Sequence, residues 1–139
     1  MANHSAATKD DYTRLRHGAR QAIIALTLLF LLGMAVNLIG LPSETSGGAK
    51  TATTILLGLH VFIAIGLLAG AVATAAAARK VGGSLRKLAW IAAAAVVVTF
   101  TAGVLTMATE QNWWSYVMAA GFITVLLTYG AIYARADTR

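Results

Sequence analysis

His60 is the only acidic or basic side chain in the long apolar stretches of this chain, which makes it the first candidate for chemistry. A neutral imidazole binds haem iron or transfers protons near neutral pH, and an ionisable group at membrane depth costs free energy unless it has a partner. The alternative is a structural histidine that donates to a carbonyl or a threonine of a neighbouring helix. No complete catalytic set accompanies His60, so the sequence identifies no catalytic residue and argues weakly against an enzyme.

Three further polar residues, Asn37, Thr106 and Glu110, occur toward the same end of the apolar stretches as His60. At about 1.5 Å per residue, Asn37 lies roughly 6 Å and His60 roughly 9 Å from the ends of their stretches. We therefore predict a one-sided pocket at this surface, lined by Asn37, Thr106 and Glu110. The opposite half offers no continuous polar path, which disfavours a monomeric channel or proton relay.

The elements that must position these residues are four apolar segments, each long enough to cross a bilayer. A hydrocarbon core about 30 Å thick needs about 20 helical residues, and the runs at 22–41, 54–78, 88–108 and 113–134 reach that length. Hydrophobic residues make up 58% of the chain and the mean hydropathy is +0.73, which excludes most soluble classes. We predict an all-α integral membrane protein with a cytoplasmic polar tail at 1–20 and one four-helix domain at 21–139.

The positive charges predict the orientation of these spans. Lys and Arg mark cytoplasmic segments, and ten of the eleven flank the spans on one side. They lie before the first span, between the second and third, and after the fourth: Lys9, Arg14, Arg16, Arg20, Arg79, Lys80, Arg86, Lys87, Arg135 and Arg139. We predict a multi-pass plasma-membrane protein with both termini in the cytoplasm. The net charge of +6 is then explained by topology and anionic lipid headgroups, without nucleic-acid binding.

Small residues recur at helical spacing in every span. Lipid tails do not drive helices together, so transmembrane helices pack where small residues let their backbones approach. Short connections make sequential helices antiparallel. We predict an up-down-up-down four-helix bundle whose helices pack at Gly33, Gly66, Gly70, Gly103 and Gly121. The chain has no cysteine, which excludes disulfides, thiolate-bound clusters and covalent c-type haem, and we predict no metal site.

Three segments carry a resemblance to a known family: Leu59–His60–Val61–Phe62, the basic turn from Arg79–Lys80 to Arg86–Lys87, and Thr101–Ala102–Gly103–Val104–Leu105–Thr106. In this order they resemble one four-helix half of the haem A synthase family, and the likeness spans most of 22–134. The resemblance implies a haem ligand at His60, near the outer surface. The second histidine of such a half has no counterpart, because the fourth span has Ser115, Tyr116 and Met118 in that region.

The scarcity of reactive groups beside many small-residue faces favours an accessory or structural subunit of a larger membrane assembly, or a protein that assembles with a second copy. Two alternatives stay open. One is a haem-binding or redox-linked membrane protein with His60 as axial ligand near the outer face. The other is a dimeric small-solute transporter in which His60 is a protonatable switch. The lipid bilayer is the partner common to all three.

Overall fold

Four α-helices form the fold in the computed structural model, which describes residues 7–109 and 111–138. They are α1 (Lys9–Ile39), α2 (Gly47–Val81), α3 (Gly83–Thr109) and α4 (Asn112–Asp137). No strand occurs in the two described ranges, and all four helices are long and apolar enough to cross a membrane. The prediction of an all-α, multi-pass membrane protein is confirmed at this level.

The helices extend beyond the apolar stretches that predicted them. α1 begins at Lys9 and continues unbroken to Ile39, so more than half of the segment predicted as a polar tail is helical; residues 1–6 lie outside the described part. α2 runs from Gly47 to Val81, or roughly 52 Å at about 1.5 Å per residue, against a hydrocarbon core about 30 Å thick. Hydropathy falls at the edge of that core, whereas Lys, Arg and Gln still favour helix in the headgroup region.

Local hydrogen bonds and glycines set the helix ends. Thr8 and Asp11 form a capping box at the start of α1: the Thr8 N–H donates to Asp11 Oδ2 at 3.0 Å, and the Asp11 N–H donates to Thr8 Oγ1 at 3.4 Å. Between α2 and α3, only Gly82 is non-helical. Gly82 and Gly83 have φ of 71° and 55°, a backbone conformation that side chains with a Cβ rarely adopt. A one-residue turn thus replaces the basic loop of about nine residues that hydropathy suggested.

The four helices form a ring. α1 packs against α2 and α4, and α3 packs against the same two helices. In the described residues, the diagonal pairs α1/α3 and α2/α4 bring no Cα atoms within 8 Å. The core between the helices consists mainly of Ala, Leu and Val, with Tyr129 as the largest fully buried side chain.

α2 is the helix least covered by its neighbours. In the most apolar stretch of each helix, 11% of the α2 residues are buried, against 28% in α3 and in α4. Its buried residues belong to the core cluster between the helices, and they include Leu67, Ala71 and Ala75. Much of the α2 surface is therefore left to lipid or to another molecule.

Candidate functional site

His60 lies against α1 at Gly33. A Cβ added at Gly33 would lie 3.5 Å from His60 Cε1 and 3.8 Å from Nδ1. The His60 side chain is half-buried, and its Nδ1 is buried without a hydrogen-bond partner among the described residues. The absent side chain of Gly33 therefore leaves the space that one edge of the imidazole occupies.

The other residues predicted to line an outer pocket are separated in the structure. Asn37 is exposed on α1, and Thr106 is half-buried on α3, where its hydroxyl donates to the Ala102 carbonyl at 2.8 Å. α1 and α3 make no close backbone contact in the described part of the chain, and no hydrogen bond there joins Asn37, Thr106 and His60. Glu110, the third predicted pocket residue, lies outside the described residues.

Three of the five glycines predicted to pack helices contact another helix. Gly33 faces His60, as described above. A Cβ added at Gly121 would clash with the hydroxyl of Thr99 and lie 3.5 Å from the Thr99 Cα. One added at Gly103 would lie 3.6 Å from Met118 Sδ. The contacts at Gly121 and Gly103 both join α3 to α4.

Gly66 and Gly70 meet no other helix in the described part of the chain. Both are exposed, and a Cβ added at either would meet no neighbouring atom within 4 Å. The close contact between α1 and α2 lies instead at Gly18, where an added Cβ would lie 2.8 Å from Thr74 Oγ1. Gly18 was missed because it precedes the apolar stretch of α1, and hydropathy gives no reason to look for helix packing there.

A groove of about 570 Å³ opens beside this contact, between α1 and α2. We call it the α1/α2 groove. Its α1 wall carries the polar residues Arg14, His17 and Gln21, and its α2 wall is formed mainly by small residues, among them Gly66 and Gly70. The Gln21 amide nitrogen and the His17 Nε2 are hydrogen-bonded at 2.8 Å. The spacing of 14, 17 and 21 is the sequence signal that would have placed these side chains on one helix face.

Two arginines outside the groove contact aromatic side chains, and one of them also pairs with a carboxylate. Arg16 forms an ion pair with Asp137 at 2.8 Å, donates to Tyr133 Oη at 3.3 Å, and lies 5.1 Å from the centre of the Tyr133 ring. The Arg79 guanidinium lies 5.2 Å from the centre of the Trp90 ring. These contacts are exposed, so they contribute little stability, but they join the start of α1 to the end of α4, and α2 to α3.

The exposed face of α2 carries a regular row of residues. Every member is exposed and follows the previous one at a spacing of four or three: Gly58, Phe62, Ile65, Ala69, Val72 and Ala76. We call this row the α2 seam. The alternation of four and three is the heptad spacing that keeps one face of a helix against a partner, and the row contains both small residues (Gly58, Ala69, Ala76) and larger ones (Phe62, Ile65, Val72). No helix in the described part of the chain covers the seam.

The described residues contain no group of three or more His, Asp or Glu side chains that could hold a metal ion. The arrangement thus offers a helix-contacting imidazole, a groove with one polar wall, and an unpaired helix seam. No protein-family model, curated protein or solved structure matches this chain significantly.

Proposed function

We propose that the chain is a plasma-membrane protein in which four antiparallel spans run up-down-up-down and both termini lie in the cytoplasm. The order of the contacts supports antiparallel neighbours, because residue numbers rise along one helix while those of its partners fall along the next. Gly18 and Gly33 of α1 face Thr74 and His60 of α2, and Thr99 and Gly103 of α3 face Gly121 and Met118 of α4. One cavity lined by Tyr12, Gly82 and Thr138 supports placing both termini at one end of the bundle.

The cytoplasmic assignment of that end rests on charge. The same end carries the basic residues around Gly82, including Arg79, Lys80, Arg86 and Lys87, together with the cations at the start of α1. Cytoplasmic segments are enriched in Lys and Arg because the positive-inside rule orients spans during insertion. The connection between α1 and α2 contains Glu44 and no cation before Lys50, as expected for the outer side.

Within that membrane, we propose that the protein is an accessory subunit of a larger membrane assembly. The observation that carries this proposal is the α2 seam, six exposed residues at heptad spacing on the helix that its neighbours cover least. Exposed apolar side chains do not by themselves indicate a protein partner, because lipid can cover them. Small residues among larger ones at heptad spacing favour close packing of another transmembrane helix, because each small residue leaves a gap that a side chain of the partner fills.

Single-cysteine cross-linking in native membranes tests this proposal, since the chain has no cysteine of its own. Ala69→Cys places a reactive group on the seam, and Leu127→Cys, on the exposed face of α4, is the matched control. We expect a discrete cross-linked species of higher mass from Ala69→Cys and none from Leu127→Cys. The same yield from both variants, or none from Ala69→Cys and Val72→Cys, contradicts the proposal.

Haem binding is the second candidate, and the half-buried imidazole of His60 within a predicted span is the observation that favours it. The ring edge that carries Nδ1 faces Gly33, so iron would bind the other nitrogen, Nε2. The contact with Gly33 also explains the position of the ring without a ligand, which ranks haem below the accessory role. A Soret band in protein purified from haem-replete cells, absent in His60→Ala, would reverse that order.

Solute transport by a dimer ranks third. His60 is the only acidic or basic side chain within the predicted spans, so a protonatable switch has no second ionisable group to relay through at that depth. A pH-dependent flux into proteoliposomes that is lost in His60→Gln would favour transport over the accessory role.

A further inference from the structure

The α1/α2 groove combines a polar end with an apolar length. Its polar end lies at the start of α1 and carries the guanidinium of Arg14, the imidazole of His17 and the amide of Gln21. Away from this end, the lining changes to Ala25 on α1 and to Gly66 and Gly70 on α2. Polarity is therefore confined to one end, and the rest of the groove has apolar walls formed mainly by small residues, with Leu67 as a larger side chain among them.

This division matches the expected depth in the bilayer. The Gly18–Thr74 contact places Arg14 level with about residue 78, the end of the α2 apolar stretch, so its guanidinium reaches the headgroup region. On α2, Gly66 precedes the end of the apolar stretch at 78 by twelve residues, which corresponds to roughly 18 Å of depth. The groove thus extends from the headgroup layer into the hydrocarbon core, beside the lipid leaflet at the end where both termini lie.

The polar end has donors without an acidic partner. Arg14 forms no ion pair within 4 Å with any described residue, including Asp10 one turn earlier on the same helix, whereas Arg16 on the other side of the helix is paired with Asp137. Asp11, the other nearby carboxylate, accepts from Thr8. An exposed guanidinium in the headgroup layer attracts phosphate, which it binds with two parallel hydrogen bonds.

We propose that the α1/α2 groove is a binding site for one anionic phospholipid. The headgroup phosphate accepts from Arg14, with Gln21 and His17 beside it, and one acyl chain lies along Gly66 and Gly70. Gly66 and Gly70 are essential to this site because any larger side chain would fill the space that the acyl chain occupies. This site is separate from the α2 seam, so the inference goes beyond the accessory role and does not depend on it.

Charge favours a lipid over a partner helix as the occupant. A transmembrane helix would need an acidic residue in register with Arg14. An anionic lipid needs no such match, because its phosphate is part of the headgroup and lies at that depth in any bilayer. The attraction of such a lipid to one basic side chain near the surface corresponds to about a five-fold gain in affinity.

Native mass spectrometry of the full-length protein in detergent, with phosphatidylglycerol or phosphatidylcholine added, tests the site. We expect one phosphatidylglycerol to bind preferentially. Arg14→Gln should weaken this first binding step by about five-fold and remove the preference over phosphatidylcholine. Arg20→Gln is the matched control, because Arg20 lies on the same helix, carries the same charge and does not line the groove. Equal losses in the two variants mean that general surface charge attracts the lipid, and the proposal fails.

The acyl-chain half of the site has its own pair of variants. Gly70→Leu fills the groove without meeting a neighbouring atom at its Cβ, and Gly130→Leu makes the same change on α4 at a position that is equally free of neighbours but outside the groove. We expect Gly70→Leu to reduce binding of both lipids and Gly130→Leu to leave it unchanged. Unchanged binding in Gly70→Leu overturns the proposal. So does a protein cross-linked to Ala73→Cys that phosphatidylglycerol does not displace, since a helix would then occupy the groove.

Discussion

The imidazole of His60 on α2 packs against the backbone of Gly33 on α1. The side chain best suited to ligand binding or proton transfer is therefore also part of the helix packing. The contact distance of 3.5 Å from an added Cβ to Cε1 is an ordinary van der Waals separation. The position therefore has room for a methyl group and for nothing larger unless the imidazole moves.

This contact predicts opposite effects for two substitutions at Gly33. Gly33→Ala should stabilise the protein slightly or leave it unchanged, because alanine favours helix over glycine by up to about 1 kcal/mol and its methyl group fits. Gly33→Leu should destabilise it by about 1–3 kcal/mol, because the side chain displaces the imidazole. Unfolding in mixed micelles measures both. If Gly33→Leu is restored by His60→Ala, the two side chains compete for the same space; no restoration contradicts the contact.

Gly121 should be the glycine least tolerant of substitution. A Cβ there clashes with the Thr99 hydroxyl and lies only 3.2 Å from the Thr99 Cβ, an atom that no side-chain rotation can move. We expect Gly121→Ala to lower the free energy of unfolding by about 1–3 kcal/mol, as overpacking usually does, and Thr99→Ala to restore part of the loss. A neutral Gly121→Ala would show that α3 and α4 do not approach here.

Gly103→Leu should cost less than Gly121→Leu. The atom nearest to Gly103 is the sulfur of Met118, at the end of a flexible side chain that can adopt another rotamer. Ranking the two variants by unfolding midpoint checks this, with Leu28→Ile on an exposed part of α1 as a neutral control.

Gly70→Leu should leave stability nearly unchanged, contrary to what the small-residue pattern alone predicts. No neighbouring atom lies within 4 Å of an added Cβ, and leucine favours helix over glycine. The same unfolding assay tests this expectation. A loss as large as that of Gly121→Leu would mean that another helix covers Gly70 in the assembled protein.

The proposed orientation predicts the side of two connections. Reporter domains fused after Thr138 should be active only as cytoplasmic fusions, and a single cysteine replacing Ser46 should react with a membrane-impermeant maleimide in intact cells. Ser84→Cys, beside the basic turn, should react only after the cells are opened. Labelling of Ser84→Cys in intact cells would reverse the assignment of both termini.

The sequence was sufficient to predict four long apolar helices and insufficient to predict the site. Four apolar runs of span length require four helices, because backbone groups in lipid must bond within their own segment. The same argument does not say which small residues meet, since Gly66, Gly70 and Gly121 have equivalent surroundings in sequence. Their difference depends on the rotation of each helix, which long-range packing determines. For the same reason, Asn37 is exposed although its depth alone suggested a pocket.

The polar wall of the α1/α2 groove was missed for a different reason. Hydropathy treats the segment before residue 22 as a tail, yet α1 extends back to Lys9, and Leu15 and Ala19 are fully buried. A helical wheel that started at Lys9 would have placed Arg14, His17 and Gln21 on one face. Helix ends outside the hydrocarbon core are therefore better predicted from propensity and caps than from hydropathy.

The single-residue turn at Gly82 couples the end of α2 directly to the start of α3. A one-residue link limits how far the end of α2 and the start of α3 can separate, and Arg79, whose guanidinium lies over the Trp90 ring, adds a second contact between the same two ends. Because α3 packs on α4, a molecule that binds α2 from the lipid side and displaces it would also shift α3 through Gly82, and α4 through α3.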